Sequence, residues 1–289
     1  MDFKRIEWIF FLVFFGVNIF LFSIYREGLQ DESNVSYSDR TESLEHRLEK
    51  EGIDHKGELS TAQIEGYYLS GERTNFYEEI QQKRIDEGDN SLFRYNTDII
   101  ENGIISYPSS NYYVDPKDVE TTLSEFLSSS DNVLFGNEYT YLANFSNLTG
   151  DFPEVIASQS YEGIAFRDDS AQITFSLEKH ETDELFKIAK YTQYHIENLE
   201  KLREKSDLYS EHDAVETLYI NNKIPSNSTI TFSKLAYTCI YQIREKYVYV
   251  PVWFIGISSN GTTMQIEQVN AMNNTIITNN TITRVENHS

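Results

Sequence analysis

LAYTCIYQIREKYVYVPVWFIGI, residues Leu235–Ile257, decides the architecture of the C-terminal half. It holds two runs, Leu235–Ile243 and Tyr247–Ile257, separated by Glu245-Lys246 and dominated by Tyr, Val, Ile, Trp and Phe. Side chains of that kind fit a pleated, half-buried surface, so both runs read as long strands. Downstream, Met264–Val269 and Thr275–Arg284 repeat the pattern, with Ser259-Asn260-Gly261 and Asn273-Asn274 between runs. Asn-Gly is a strong hairpin signal, so the segment predicts an antiparallel meander. Just upstream, Glu211–Asn221 (EHDAVETLYIN) predicts a helix burying Ala214, Val215, Leu218 and Tyr219.

Closer to the N-terminus the runs shorten. Ile188–Ile196 (IAKYTQYHI) alternates like a strand, and Val133–Leu177 supplies VLFGNEYTYLANF, PEVIASQ, EGIAFRD and AQITFSL, read as successive antiparallel strands. Gln63–Leu69 and Leu92–Tyr95 are short and aromatic, again favouring strand. Asp115-Pro116-Lys117-Asp118 before VETTLSEFL predicts a helix with Asp115 as N-cap, Pro116 at the first helical position and a stripe of Val119, Leu123, Phe126 and Leu127. Thr41–Glu51 (TESLEHRLEKE) predicts a shorter helix with Leu44 and Leu48 on one face. The fold class expected is α+β.

A different solvent is written into the start of the chain. Trp8–Tyr25, WIFFLVFFGVNIFLFSIY, is eighteen residues without a charge, although mean hydropathy overall is −0.48. As a helix it spans roughly 27 Å, close to the hydrocarbon thickness of a bilayer. Lys4 and Arg5 precede it and Glu27, Asp31 and Glu32 follow, which places the N-terminus inside and the remainder outside. Its apolar run is longer than a signal-peptide core and lacks a small-x-small cleavage site, so an uncleaved anchor is expected. The organisation expected is a cytoplasmic stub (1–5), a transmembrane helix (6–25), a tether (26–40), an α+β unit (41–150) and a C-terminal β-rich unit with one or two helices (151–289). Phe11, Phe15, Asn18 and Phe22 share one helix face, and an amide in lipid seeks a partner across a helix interface. That face is the candidate interaction surface.

Composition narrows function by exclusion. The 289 residues carry Lys+Arg 24 against Asp+Glu 46, a net charge of −22, and residues 1–7 contribute two charges of each sign. The acid excess therefore lies beyond the apolar segment. It argues against nucleic-acid binding, which runs on cationic clusters. Aromatics at 14% argue against a disordered chain. A single cysteine, Cys239, excludes a disulfide framework and a multi-cysteine zinc site, and in LAYTCIYQI it reads as a small buried hydrophobe. The six histidines are scattered, with His195 expected to be a structural or surface residue rather than a ligand. No nucleophile elbow, zincin, S-x-x-K or P-loop pattern occurs, so no catalytic residue, metal ligand or cofactor site is expected.

Several stretches in order resemble the YycI (WalI) family of single-pass proteins. They are MDFKRIEWIFFLVFFGVNIFLF at the start, YTQYHIENLE (Tyr191–Glu200), AVETLYINNKIPSNSTI (Ala214–Ile230), LAYTCIYQ (Leu235–Gln242), YVYVPVWFIGI (Tyr247–Ile257) and QVNAMNNTII (Gln268–Ile277). Leu218, Tyr219, Pro225, Leu235, Tyr237, Pro251, Trp253, Val269, Asn270 and Ala271 stand at the motif positions, with Ala236 and the Asn273-Asn274 turn where the family often has Gly. The resemblance implies a non-enzymatic regulator of cell-wall metabolism at the cell membrane. Its implied partners are the sensor histidine kinase WalK and the sister protein YycH, in a homo- or hetero-oligomer formed partly through transmembrane helices. It also implies a smaller α+β unit followed by a mainly antiparallel β unit. A second class of function, an extracytoplasmic sensor for a wall fragment, lipid or peptide, is marked by a deep pocket with converging polar groups. A wall-processing enzyme is a third, marked by a His or carboxylate cluster in a cleft.

Overall fold

A computed structural model describes residues 42–87, 96–108, 111–180, 184–259, 263–278 and 283–285, together with Trp8, Phe11, Phe14, Phe15, Val17 and Asn18. The chain divides into two compact units, Met1–Gly52 and Ile53–Ser289. In the first unit the six described residues between Trp8 and Asn18 are helical. Among the described residues no helix is long and apolar enough to cross a membrane. The expected anchor, tether and Leu92–Tyr95 strand lie largely or wholly outside the described residues. Helix α1 (Leu44–Lys50) begins where Ser43 accepts a hydrogen bond from the His46 N–H, and it buries Leu44 and Leu48 as their spacing predicts.

The second unit contains two large sheets. The first runs β2 (Thr97–Ile100), β3 (Gly103–Ser106), β7 (Phe186–Gln193), β6 (Gln172–Lys179) and β4 (Glu154–Ser158), then Thr140–Tyr141, with Tyr113–Val114 also against β7. Its pairings are antiparallel. Helices α2 (Phe76–Glu87) and α3 (Val119–Ser128) give Phe76, Ile80, Leu123 and Phe126 to a core with Ile104, Val155, Phe175 and Tyr191. The predicted α3 stripe of Val119, Leu123, Phe126 and Leu127 is buried. Its N-cap is Asp118, three residues later than expected: that side chain accepts from the Thr121 N–H, while the Asp115 carboxylate closes a turn onto the Lys117 N–H.

The second sheet runs β8 (Ile196–Lys201), β1 (Leu69–Arg73), β10 (Lys246–Ser259), β9 (Ser228–Ile243), β5 (Ile164–Phe166) and Ser160–Tyr161, with β11 (Thr263–Asn270) also on β10. The meander read from Leu235–Ile257 is present as β9–β10–β11, and Ile243 pairs with Lys246 around Arg244-Glu245, one residue before the expected break. Strand β10 is a central strand buried almost continuously from Tyr249 to Ile257, and Pro251 interrupts it without cost. Its neighbours explain why: β1 pairs with residues 246–249 and β11 with 252–259, so the missing N–H falls in the gap between two collinear partners. The outer edge of β9 is covered by three short parallel segments, Asp54–His55, β5 and Thr283–Val285. Helix α4 (Glu211–Ile220) contacts β10 and β11 and buries Ala214, Val215 and Leu218; Tyr219 is half-buried.

Two expectations change. VLFGNEYTYLANF forms two 3-10 turns, Gly136–Glu138 and Ala143–Phe145, with only Thr140–Tyr141 in a sheet; Gly136 packs so close to the preceding helix that a Cβ there would meet the Leu127 carbonyl oxygen at 1.9 Å. Thr275–Arg284 is two pieces: Thr275–Ile276 extends the meander, whereas Thr283–Val285 joins the outer edge of β9 in parallel. Residue 150 lies between Thr140–Tyr141 and β4, which pair with each other, and β1 sits between β8 and β10.

Candidate functional site

The motif residues converge on a joint between α4 and the meander. Tyr237 pairs with Pro251, Leu235 with Trp253 and Trp253 with Val269. The Trp253 indole N–H donates to the Tyr209 carbonyl at 2.8 Å, the Tyr209 N–H donates to Ala271 O at 2.8 Å, and the Ala271 N–H donates to Pro251 O at 2.9 Å. This chain of bonds ties the segment entering α4 to both strands beneath it. Asn270 shapes the turn after β11 by accepting the Met272 N–H, and Ser210 with Asp213 forms a capping box at the start of α4. Leu218, Tyr237, Val269 and Ala271 are buried, whereas Pro225 lies exposed in the turn after α4. These side chains are spent on architecture. None of them presents a reactive group to a cleft.

On the candidate interaction face, Phe11, Phe15 and Asn18 are helical and exposed, and Phe22 lies outside the described residues. The Phe11 and Phe15 rings stack with centroids 6.1 Å apart. Asn18 Nδ2 donates to the Phe14 carbonyl one turn back at 2.9 Å. An amide has two N–H donors and an acceptor oxygen, so that bond uses one part of its capacity.

A groove of about 830 Å³ crosses the sheet face carrying Phe254 and Ile266, between Arg167 after β5 and the segment after β11. Strand β5 pairs with β9 at Ala236–Tyr237, which delivers Arg167 and Asp168 to the rim. Asp168 is fully engaged: it accepts from the Ser170 N–H and hydroxyl, from the Cys239 N–H at 3.0 Å and from Thr238. The Arg167 guanidinium lies 5.0 Å over the Phe145 ring and donates to Gln172 Oε1 at 3.0 Å; burial lowers its pKa. Across the groove, Gln268 Oε1 is buried without a hydrogen-bond partner. Cys239 also borders the groove, but burial, with the Asp168 charge second, pushes its thiol up to about 12. It is a thiol and not a nucleophile at neutral pH.

The two sheets meet at a buried polar joint. His195 sits in the link from β7 to β8, with Nδ1 2.6 Å from Thr74 Oγ1 and Nε2 2.9 Å from Glu138 Oε2. A carboxylate only accepts, so Nε2 carries the proton and Nδ1 accepts the Thr74 hydroxyl. Gln159 donates to Glu138 Oε2 and pairs with the Ile196 backbone through both amide atoms. Phe135 stacks on the imidazole at 4.2 Å. Burial lowers the His195 pKa, and Glu138 opposes that less strongly. Thr74, His195 and Glu138 repeat the order of a hydroxyl–imidazole–carboxylate relay. However, Thr74 and His195 are 3% and 4% exposed, which leaves the hydroxyl no room to reach a substrate. Of the two roles expected of His195, structural or surface, its burial fits the structural one. Among the described residues, no group of three or more His, Cys, Asp or Glu side chains is placed to hold a metal ion.

Sequence reasoning had no means of finding Arg167 and Gln268. Arg167 belongs to no quoted stretch, Gln268 opens QVNAMNNTII without a role of its own, and the pairings of β5 with β9 and of β11 with β10 bring them to one groove.

The family model described as "YycI protein" matches residues 31–272, so the chain belongs to the YycI family, a family of accessory regulatory proteins. No curated protein matches. Among solved structures, the chain is similar to an uncharacterized protein from Eubacterium rectale, at 7% identity and a TM-score of 0.41, over 78% of this chain and 90% of that one.

Proposed function

We propose that this protein is a non-enzymatic, membrane-anchored regulator. It associates with the sensor histidine kinase WalK and a YycH-type sister protein to set two-component signalling over cell-wall metabolism. Membership of the YycI family over residues 31–272 is the observation that carries this reading. On this reading Ile6–Tyr25 spans the cell membrane with the N-terminus inside, and residues beyond it lie outside the cell. The face of Phe11, Phe15, Asn18 and Phe22 meets partner helices, with the stacked Phe11 and Phe15 rings offering a packing surface and the Asn18 amide a hydrogen bond. A helix that prefers one kinase state shifts its equilibrium by the difference in contact energy. At about 1–2 kcal/mol per interhelical hydrogen bond, that difference changes a population ratio several-fold. The test is Asn18→Leu in a membrane two-hybrid assay. Reduced association with kinase and sister protein is expected, and undiminished association would sink the assignment of that face.

The groove beside Arg167 favours a second reading, an extracytoplasmic ligand sensor, which is compatible with the first in one chain.

A further inference from the structure

We propose that the cavity between the β2–β3 and β9–β10 turns binds a small acid with one carboxylate and a short apolar side chain, the carboxylate lying end-on against the Arg73 guanidinium. The cavity is distinct from the groove beside Arg167, and its ligand follows from neither functional reading above. It holds about 420 Å³, within the range of sites for small ligands. Strand β1 runs into α2 along one side of it, and Asn102, Arg244 and Glu245 bring the two turns to its rim.

The assignment rests on Arg73. Its guanidinium lies 4.7 Å from the centroid of the Tyr247 ring and 5.8 Å from that of Tyr194. Tyr247 lines this cavity, and the Tyr194 ring lies against Gly103, which lines it too. The guanidinium is therefore held at this wall, although Arg73 also borders the groove beside Arg167. The chain carries Asp+Glu 46, yet among the described residues the Arg73 side chain makes no ion pair and no hydrogen bond. A half-buried cation without a counterion is costly, and a ligand that supplies one removes the cost. Nε is buried, whereas Nη1 and Nη2 keep accessible surface. Side-on pairing through Nε is closed, and end-on pairing through the two Nη atoms is open. That edge presents two parallel N–H groups, in a plane held between aromatic rings, to two oxygens of one oxyanion.

Charge and shape select the oxyanion. Glu72, Arg73, Arg244 and Glu245 are the charged residues of the lining. Glu72 is spent elsewhere, accepting from Asn198 Nδ2 at 3.1 Å and lying 3.5 Å from Lys246 Nζ. Glu245 stands on the exposed turn and pairs with neither arginine. Two guanidinium groups against one unpaired carboxylate leave a single positive charge. In a chain of net charge −22 that balance suits a monoanion and disfavours a dianion. A carboxylate is the monoanion whose two oxygens and carbon share the plane of the guanidinium edge, whereas a phosphodiester sends two ester arms out of that plane. Tyr77 and Ile99, both exposed, and half-buried Ile100 line the same cavity and give a short apolar side chain a place to lie.

The experiment titrates the full chain in lipid nanodiscs by isothermal calorimetry with N-acetyl-leucine, beside the neutral N-acetyl-leucinamide and dimethyl phosphate. Saturable binding of N-acetyl-leucine is expected, with the amide weaker by about tenfold or more, the factor that lost charge-assisted bonds supply. Arg73→Met keeps a stem to pack on Tyr247 and removes the fork, and should weaken binding by about tenfold or more. Arg244→Asn, at a turn position with φ 56° that asparagine accepts, should weaken it about threefold, as an exposed charge does. It takes the place of Arg73→Met should that variant fail to fold. No binding of N-acetyl-leucine, equal binding of its amide, or binding unchanged in Arg73→Met overturns the proposal. Dimethyl phosphate binding as tightly as N-acetyl-leucine overturns the assignment of a carboxylate. Each of these outcomes leaves association with the kinase untouched.

Discussion

His195→Phe isolates the joint between the sheets. Phenylalanine keeps the ring that stacks on Phe135 at 4.2 Å but loses both ring nitrogens, at 2.6 Å from Thr74 and 2.9 Å from Glu138. Glu138, at 52% exposure, turns to water and to Gln159. Thr74 is 3% exposed and its hydroxyl is left stranded. One orphaned buried hydroxyl costs about 1–3 kcal/mol and one lost net hydrogen bond about 0.5–1.5, so the variant should lose roughly 2–4 kcal/mol near neutral pH. Acidity should narrow that gap. The folded protein holds His195 below its ordinary value of 6.5, so the unfolded chain binds the proton more readily. The native contribution is therefore complete above about pH 6.5 and declines as pH falls through that value. Glu138 and, more weakly, Glu79 are the charges that moderate the decline. Urea unfolding of parent and variant, followed by circular dichroism at about pH 7.5 and about pH 5.5, measures both effects. A loss below about 0.5 kcal/mol at neutral pH, or a gap that widens on acidification, would refute the reasoning.

Other substitutions probe separate parts of the fold. Gly136→Ala drives a Cβ to 1.9 Å from the Leu127 carbonyl oxygen and should cost about 3 kcal/mol or more, read as a fall in the urea midpoint; an unchanged midpoint would mean that the 3-10 turn lies elsewhere. Trp253→Phe removes the indole donor to Tyr209 while keeping the ring, and a loss of about 1–2 kcal/mol is expected, with exchange protection lost first in α4. Cys239, with its thiol pushed up to about 12, should resist iodoacetamide at neutral pH until urea unfolds the chain; alkylation of the native protein at the rate of a free thiol would contradict its burial.

The sequence was most legible where structure is local. Periodicity placed α4, the α3 stripe and the β9–β10–β11 meander within a few residues, because each is specified by neighbours along the chain. Asp115 and Asp118 show the limit of local reading. Both are plausible caps, and the choice depends on which carboxylate finds a helical N–H, Asp118 meeting Thr121 while Asp115 closes the preceding turn. Gly136, in a segment that otherwise alternates like a strand, stands where Leu127 leaves no room for a side chain, a fact of tertiary packing. Long-range pairing was least legible. Nothing in LSGER announces that β1 inserts between β8 and β10, and nothing around Arg167 announces the parallel contact with β9 that opens a groove beside it. For the same reason the strand context of His195 left a structural and a surface role both open, and Thr74 and Glu138 were not readable as its partners.

The central claim is that this YycI-family chain acts through partners met in the membrane. Affinity purification of the intact chain from membranes, beside a chain whose residues 1–25 are replaced by an unrelated apolar anchor, tests it most directly. The account predicts that the sensor kinase and the YycH-type protein are recovered with the intact chain and are strongly depleted when the anchor is exchanged. Equal recovery with both anchors, or a kinase absent from both, would contradict it.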